Sequence, residues 1–198
     1  MTAVAMDQDG RYRQQLSAFL LAHPWFRLIL ETVRSLDLPD WLVGAGVIRS
    51  LVWDHLHGYA TPTRLADVDV VFFDPTDLRP EHDAEVQAYL RAMLPDVPWE
   101  ATNQAAVHLW YEQIFGFAVP PLTSSADGVA TWPETATSIA VRLHPDDTLE
   151  IVAPCGLHDL FGLILRRNPS RVTRAIFHQR VQSKQIVTKW PRVQILDG

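Results

Sequence analysis

Leu16, Phe19, Leu20, Trp25, Phe26, Ile29, Leu30, Val33 and Leu36 recur at helical spacing, interrupted by His23-Pro24. Proline disfavours helix at the residue before it, so the pattern predicts two consecutive helices that pack as a cap over residues 1–38. Trp41-Leu42-Val43 is a short apolar run ending in Gly44-Ala45-Gly46, after which Val47, Ile48, Leu51, Val52 and Leu56 restore the helical stripe. Strand, tight turn and helix are expected in that order. A breaker-rich stretch over 58–64 delivers the chain into residues 67–73, which are apolar on both faces and so predicted to lie inside a sheet.

Further along, the pattern predicts a helix over 81–93, a strand over 97–102 with Pro98 at its start, and a helix over 105–115 carrying His108 and Trp110. Residues 119–125 read as a rigid extended connection. Residues 138–143 and 148–152, separated by His144-Pro145-Asp146-Asp147, read as a hairpin, and 157–165 as a helix ended before Pro169. The tail over 171–184 is basic and partly helical, with Trp190 and Ile195 folding back on the core.

Composition narrows the class. With 198 residues and 47% hydrophobic content the chain can bury a full core and is expected to form a single domain, its core over 40–165 and a C-terminal extension over 166–198. A formal net charge of -6 argues against a protein that coats duplex DNA. The single cysteine, Cys155, cannot close an internal disulfide, and no Cys/His cluster has structural-zinc spacing. The first residues lack the basic head and apolar run of a signal peptide, and nowhere do roughly 18 apolar residues run unbroken. A soluble, cytoplasmic protein that does not enter a membrane is expected; composition leaves its oligomeric state open.

The chemistry concentrates in Leu65-Ala66-Asp67-Val68-Asp69-Val70. Strand side chains alternate, so Asp67 and Asp69 project from one face, where they repel each other unless a cation sits between them. That placement suits one or two divalent metals. Gly44 and Gly46 let backbone approach a ligand closely, and the helix opening after Gly46 aims unpaired N–H groups at an anion such as phosphate. Arg49, one turn in, adds a guanidinium suited to the same oxygens. A two-metal site needs a third carboxylate, and Glu100, alone among apolar neighbours on the expected adjacent strand, is the choice, with Glu150 as its competitor. The plain alternatives are that the Asp pair caps a loop and pairs with Arg49 and Arg64, and that Asn103 and His108 are satisfied polar residues near a core. His55 and His57 read as surface residues, Cys155 as a small buried residue, and Trp53 and Trp110 as the tryptophans lining a cleft wall.

The array Gly44-Ala45-Gly46-Val47-Ile48-Arg49, Trp53-Asp54, His57-Gly58-Tyr59 and Asp67-Val68-Asp69-Val70 resembles the bacterial nucleotidyltransferase-like family of the DNA polymerase beta superfamily. Trp99-Glu100, Asn103-Gln104-Ala105, His108-Leu109-Trp110 and Trp132-Pro133-Glu134-Thr135-Ala136-Thr137 are similar to further blocks of that family, so the resemblance spans roughly residues 40 to 165. It implies an α+β fold, a small mixed sheet flanked by helices, with nucleotide held by Gly44, Ala45, Gly46 and Arg49. It also implies catalysis and binding of magnesium or manganese by Asp67, Asp69 and Glu100. The expected activity is transfer of a nucleoside monophosphate from NTP to an unidentified hydroxyl acceptor with release of pyrophosphate. The rival expectation is a catalytically inactive nucleotide-binding or protein-interaction module on the same fold. The glycine and arginine pattern also resembles the start of tRNA nucleotidyltransferases, but Ala45 stands where those usually have glycine and Ser50 where they carry an acid, which sets tRNA in doubt as the substrate.

Overall fold

The computed structural model describes residues 2–197; Met1 and Gly198, which the expected cap and extension include, lie outside them. The expected break at His23-Pro24 separates α1 (Thr2–Leu21) from α2 (Pro24–Arg34). His23 caps α2, its Nδ1 accepting from the Phe26 N–H, and Pro24 starts the helix where no amide donor is needed. Phe26, Ile29, Leu30 and Val33 form the buried stripe.

Next come β1 (Leu42–Gly44), α3 (Gly46–His57), β2 (Val68–Phe72), α4 (Pro80–Met93) and β3 (Trp99–Asn103). A single 3-10 turn over 104–106 leads into α5 (Val107–Phe115), followed by α6 (Ser125–Ala130) and the antiparallel hairpin of β4 (Ala140–Leu143) and β5 (Leu149–Val152). The sheet order is β3-β2-β1-β4-β5, with β1 antiparallel to both neighbours and β2 parallel to β3 across α4. This is the expected α+β fold, a five-stranded mixed sheet with helices around it. β2 is interior, as its apolar faces required, although β1 holds the centre.

Strand alternation divides the sheet into two unequal faces. Val43, Val70 and Val141 point into the main core with α2 and α3, whereas Leu42, Val71 and Ala140 belong to a small cluster covered by Val129 and Trp132. Asp67 and Asp69 share the parity of Val71, so they emerge on the thinly covered face. The loop beyond β3 is tied down by Asn103, which donates to the carbonyls of Asp74 and Asp77 and accepts from the Asp74 and Ala105 amides. Its role is structural.

One expected element is replaced. Residues 157–165 do not make one helix: α7 (His158–Phe161) stops at Gly162, Leu163 takes a φ of 54°, and β6 (Ile164–Arg166) pairs in parallel with β7 (Gln194–Leu196). Strand pairing with the chain terminus, invisible to local periodicity, overrides the helical pattern. Between these strands lie α8 (Arg174–Ser183), capped by Thr173, and α9 (Ile186–Lys189). Trp190 is fully packed and Ile195 rests on the core, as expected. Cys155 is exposed rather than buried, because it sits in the turn leaving β5. Trp53 is wholly in the core, not on a cleft wall; it occupies the inward stripe of α3 and donates to the Leu160 carbonyl. Among the described residues no single helix is long and apolar enough to cross a membrane.

Candidate active site

β1 carries the chain to Gly44, directly opposite Asp69 of β2, and Asp69 in turn faces Glu100 of β3. Gly44 is required by packing: a Cβ there would collide with the Ile139 carbonyl and the Ala140 side chain, so only glycine lets β1 and β4 pair this closely. Ala45 then turns the chain with φ 59° and ψ -125°, a conformation that favours glycine, and its N–H is held by the Ile139 carbonyl at 3.0 Å. No side chain caps α3, so its first amides stay available to an anion. At Gly46 a Cβ would meet only ordinary contacts. A Cβ there would lie 3.6 Å from Asp67 Oδ1 and 3.8 Å from Arg49 Nη2, so Gly46, Asp67 and Arg49 converge on one point.

Arg49 is nearly inaccessible, at 6% exposure. Its guanidinium lies 5.5 Å from the Trp53 ring centre and 5.0 Å from that of Trp190. Nη2 donates weakly to Ser50 Oγ at 3.4 Å, and Nε has no partner. Burial pushes this guanidinium below its ordinary range, while the negative charges of Glu134, Asp67 and Asp69 act in the opposite sense. Burial likewise raises the Asp69 carboxyl, reinforced by Asp67 and Glu100, to about 7. Lys184 and Arg180 counteract the rise.

The plain ion-pair alternative for the Asp pair is not what the fold builds. Among the described residues, neither Asp67 nor Asp69 receives a hydrogen bond or ion pair from its carboxylate's neighbours, and Arg64 and Arg49 are not their salt-bridge partners. Glu100 is exposed at the rim of the cluster. Glu150, its competitor, lies on β5 at the other side of the sheet and is engaged by Arg142 at 2.6 Å. Asp67 and Glu100 are close enough to act on Asp69, although among the described residues no three His, Cys, Asp or Glu side chains are already gathered as ligands of one ion. Uncommitted carboxylate oxygens, one of them on a group that resists ionisation, are a donor set that fits a hard divalent cation.

Several site residues were missed from the sequence. Glu134, 2% exposed, accepts from Arg180 Nε at 2.7 Å and from Thr137 Oγ1 at 2.8 Å. Burial alone would raise its carboxyl, but Arg180, Thr137 and Arg49 together hold it below the ordinary value. It therefore anchors α8 beside Arg49. The block Trp132-Pro133-Glu134 and the basic tail were the available signals, but their meeting is a tertiary event. Two cavities flank the carboxylates. One, of about 160 Å³, is bordered by Gly46, Arg49, Arg64, Asp67, Lys184 and Lys189. The other, of about 240 Å³, has Asp69 and Glu100 against Trp110, Tyr111, Phe117 and Arg171. Trp110 thus lines a cleft, as expected. A larger cleft of about 930 Å³ lies outside the loop 62–66 and includes none of the three carboxylates.

A family profile described as Nucleotidyltransferase matches residues 31–195. Among solved structures, a protein whose NMR structure reveals a CCA-adding enzyme head domain is 25% identical, with a TM-score of 0.77 over 93% of this chain and 96% of its own. A CCA-adding enzyme in complex with CTP gives a TM-score of 0.54 at 12% identity, covering 93% of this chain and 43% of that one. The Thermotoga maritima CCA-adding enzyme complexed with tRNA gives 0.52 at 14%, covering 93% and 42%. The last two likenesses show the fold, and this chain spans less than half of either enzyme. A search of curated proteins found no match.

Proposed function

The chain belongs to the nucleotidyltransferase family, and on that premise we propose that it transfers a nucleoside monophosphate from an NTP to a hydroxyl acceptor, with magnesium or manganese as cofactor. The observation that carries this reading is the convergence of Asp67, Gly46 and Arg49 beside a half-buried Asp69 whose carboxyl is raised by burial and by its acidic neighbours. A divalent cation, when bound, would supply positive charge to offset the charge that develops at the transferred phosphorus.

Asp67 and Asp69 would hold the cation, with Glu100 adding a carboxylate from β3. The amides opening α3 and the Arg49 guanidinium orient the outer phosphates, while Lys184 and Lys189 add positive charge across the small cavity. The acceptor oxygen bonds to the α-phosphorus, the bond from that phosphorus to the bridging oxygen breaks, and pyrophosphate departs with the electron pair. The hydroxyl proton passes to a carboxylate of the cluster. Trp53 and Trp190 keep water away from Arg49, which strengthens its attraction for phosphate. The similar enzyme complexed with CTP supports the NTP donor; the acceptor is left separate, because this chain spans less than half of that enzyme and of the one complexed with tRNA.

The rival reading, a catalytically silent NTP binder, is the one to set against it, because Glu100 is exposed at the rim rather than enclosed with the Asp pair. Calorimetric titration of the four NTPs with and without magnesium, run also on Asp67→Asn, tests the reading, with pyrophosphate release as the second readout. Magnesium-dependent binding and release, both lost in the variant, are expected. Binding that survives without divalent metal and yields no pyrophosphate would establish the silent binder.

A further inference from the structure

The two cavities beside the carboxylates have opposite chemistry, and this division gives the reaction a direction. The smaller is a cationic pocket at the start of α3, with Arg49, Arg64, Lys184 and Lys189 on its walls. The larger is aromatic, and Asp69 and Glu100 form its acidic end. Within it Tyr111 packs against Trp110, Phe115 and Phe117, with centroids 6.1, 4.4 and 5.3 Å away. Phe115 and Phe117 remain 49% and 39% exposed, which leaves aromatic surface uncovered at the mouth. Arg171 lies over the Tyr111 ring, its guanidinium carbon 5.0 Å from the centroid, and among the described residues no carboxylate pairs with it. Arg180, on the same wall, is already committed to Glu134.

We infer that the aromatic cavity is the acceptor site and that the acceptor is a nucleotide: a planar ring stacked against Trp110 and Tyr111, an anionic group at Arg171, and a sugar hydroxyl at Asp69 and Glu100. This rests on the nucleotidyl-transfer reading and deepens it. The acceptor's own anionic group is drawn to Arg171 rather than to the carboxylate end, and the donor's outer phosphates are drawn to the cationic pocket that Asp67 borders. An attacking hydroxyl must approach from the side away from departing pyrophosphate, and the aromatic cavity, which reaches Asp69 and Glu100 and shares no lining residue with the cationic pocket, offers that separate approach. At about 240 Å³ it is smaller than a cavity for a drug-sized ligand, roughly 300 Å³ or more, so it accepts one ring system with the remainder at the rim. Aromatic faces stack on any nucleobase, and an arginine at the edge adds both charge and a flat surface. A polycationic amino sugar, by contrast, would meet Arg171 and Arg180.

The test saturates the full chain with a non-hydrolysable α,β-methylene NTP and magnesium, then titrates AMP or UMP by calorimetry, with tryptophan fluorescence as the second signal. Binding of the monophosphate to the saturated protein is expected, weakened roughly tenfold or more by Trp110→Ala and restored by Trp110→Phe. Arg171→Gln should weaken AMP but leave the uncharged nucleoside adenosine unaffected. In all three variants the affinity for the NTP analogue should stay within about twofold. A short single-stranded oligonucleotide with a free 3′ end, run beside AMP, tells a chain terminus from a free nucleotide by which binds more tightly. The inference is overturned if the saturated protein binds no monophosphate. It is also overturned if Trp110→Ala and Arg171→Gln weaken the NTP analogue itself, which would put the donor's base in this cavity, or if an amino sugar competes with AMP. Failure of the NTP analogue to bind in magnesium would instead remove the nucleotidyl-transfer premise and the inference with it.

Discussion

Replacing Asp69 by Asn should make the metal-free protein more stable at alkaline pH while it abolishes transfer. In the folded chain the Asp69 carboxyl titrates near 7, against 3.8 for the free group, because burial and the charges of Asp67 and Glu100 oppose its ionisation. Below 3.8 the group is protonated in both folded and unfolded states and has no effect on the balance. Between 3.8 and about 7 the folded state holds a proton that the unfolded state has lost, so stability falls as pH rises. Above about 7 the full cost is present. A difference of roughly three units at 1.36 kcal/mol each gives about 4 kcal/mol as an upper bound. Asp69 retains some access to cavity water, so about 2–4 kcal/mol is the expected size after relaxation. Asn preserves shape and removes the charge. Urea unfolding in EDTA, at pH 5 and pH 8.5, measures it: about a third of the cost is already present at pH 5, so the stability gap between Asp69→Asn and wild type should widen by about 1–3 kcal/mol between the two pH values, with an unchanged denaturant slope. Saturating magnesium should close the gap by stabilising the wild type alone. A variant no more stable than wild type at pH 8.5, or a gap that ignores pH, would refute the account of Asp69 as an uncompensated carboxylate.

Glu134→Gln should destabilise the protein by about 3–5 kcal/mol in thermal or urea melts, because it leaves Arg180 and the buried Arg49 without their countercharge. Since the Glu134 carboxyl is held below its ordinary value, the stability it contributes is present at neutral pH and declines as pH falls through the acid range. Gly46→Ala should fold normally, its Cβ meeting nothing nearer than 3.6 Å, yet lose NTP affinity in calorimetry because the methyl group fills the approach to the α3 amides. Gly44→Ala should instead fail in the fold itself, with a large loss of melting temperature, since its Cβ would strike the Ile139 backbone. Ala45→Gly should raise stability by about 1 kcal/mol, read from the urea midpoint, by relieving the positive φ of 59°.

How much of this was legible beforehand follows from the range of each interaction. Helical stripes, the break at His23-Pro24, the glycine turn and the parity of Asp67 and Asp69 depend on neighbours a few residues apart, so side-chain pattern and backbone preference suffice to specify them. The placement of Glu100 beside Asp69 was inferred from strand adjacency, and the β2–β3 register provides it. The helix expected over 157–165 gave way to β6 because its pairing partner, β7, lies some thirty residues away. The aromatic wall was named only in part, since Trp110 and Trp53 have the same side chain and only packing assigns one to the cleft and the other to the core.

By itself the sequence therefore determined most of the elements, the carboxylate pair and the glycine turn, all products of local stereochemistry and alternation. Tertiary structure alone decided the electrostatics. Arg49 becomes a buried, incompletely satisfied cation only when Trp190 closes over it, and Asp69 becomes hard to ionise only when the folded sheet buries it beside Asp67 and Glu100. The pairing of Glu134 with Arg180 spans 46 residues and exists only after the C-terminal helix has docked. Charge interactions depend on distance and on excluded solvent, and both are properties of the assembled chain rather than of the order of its residues.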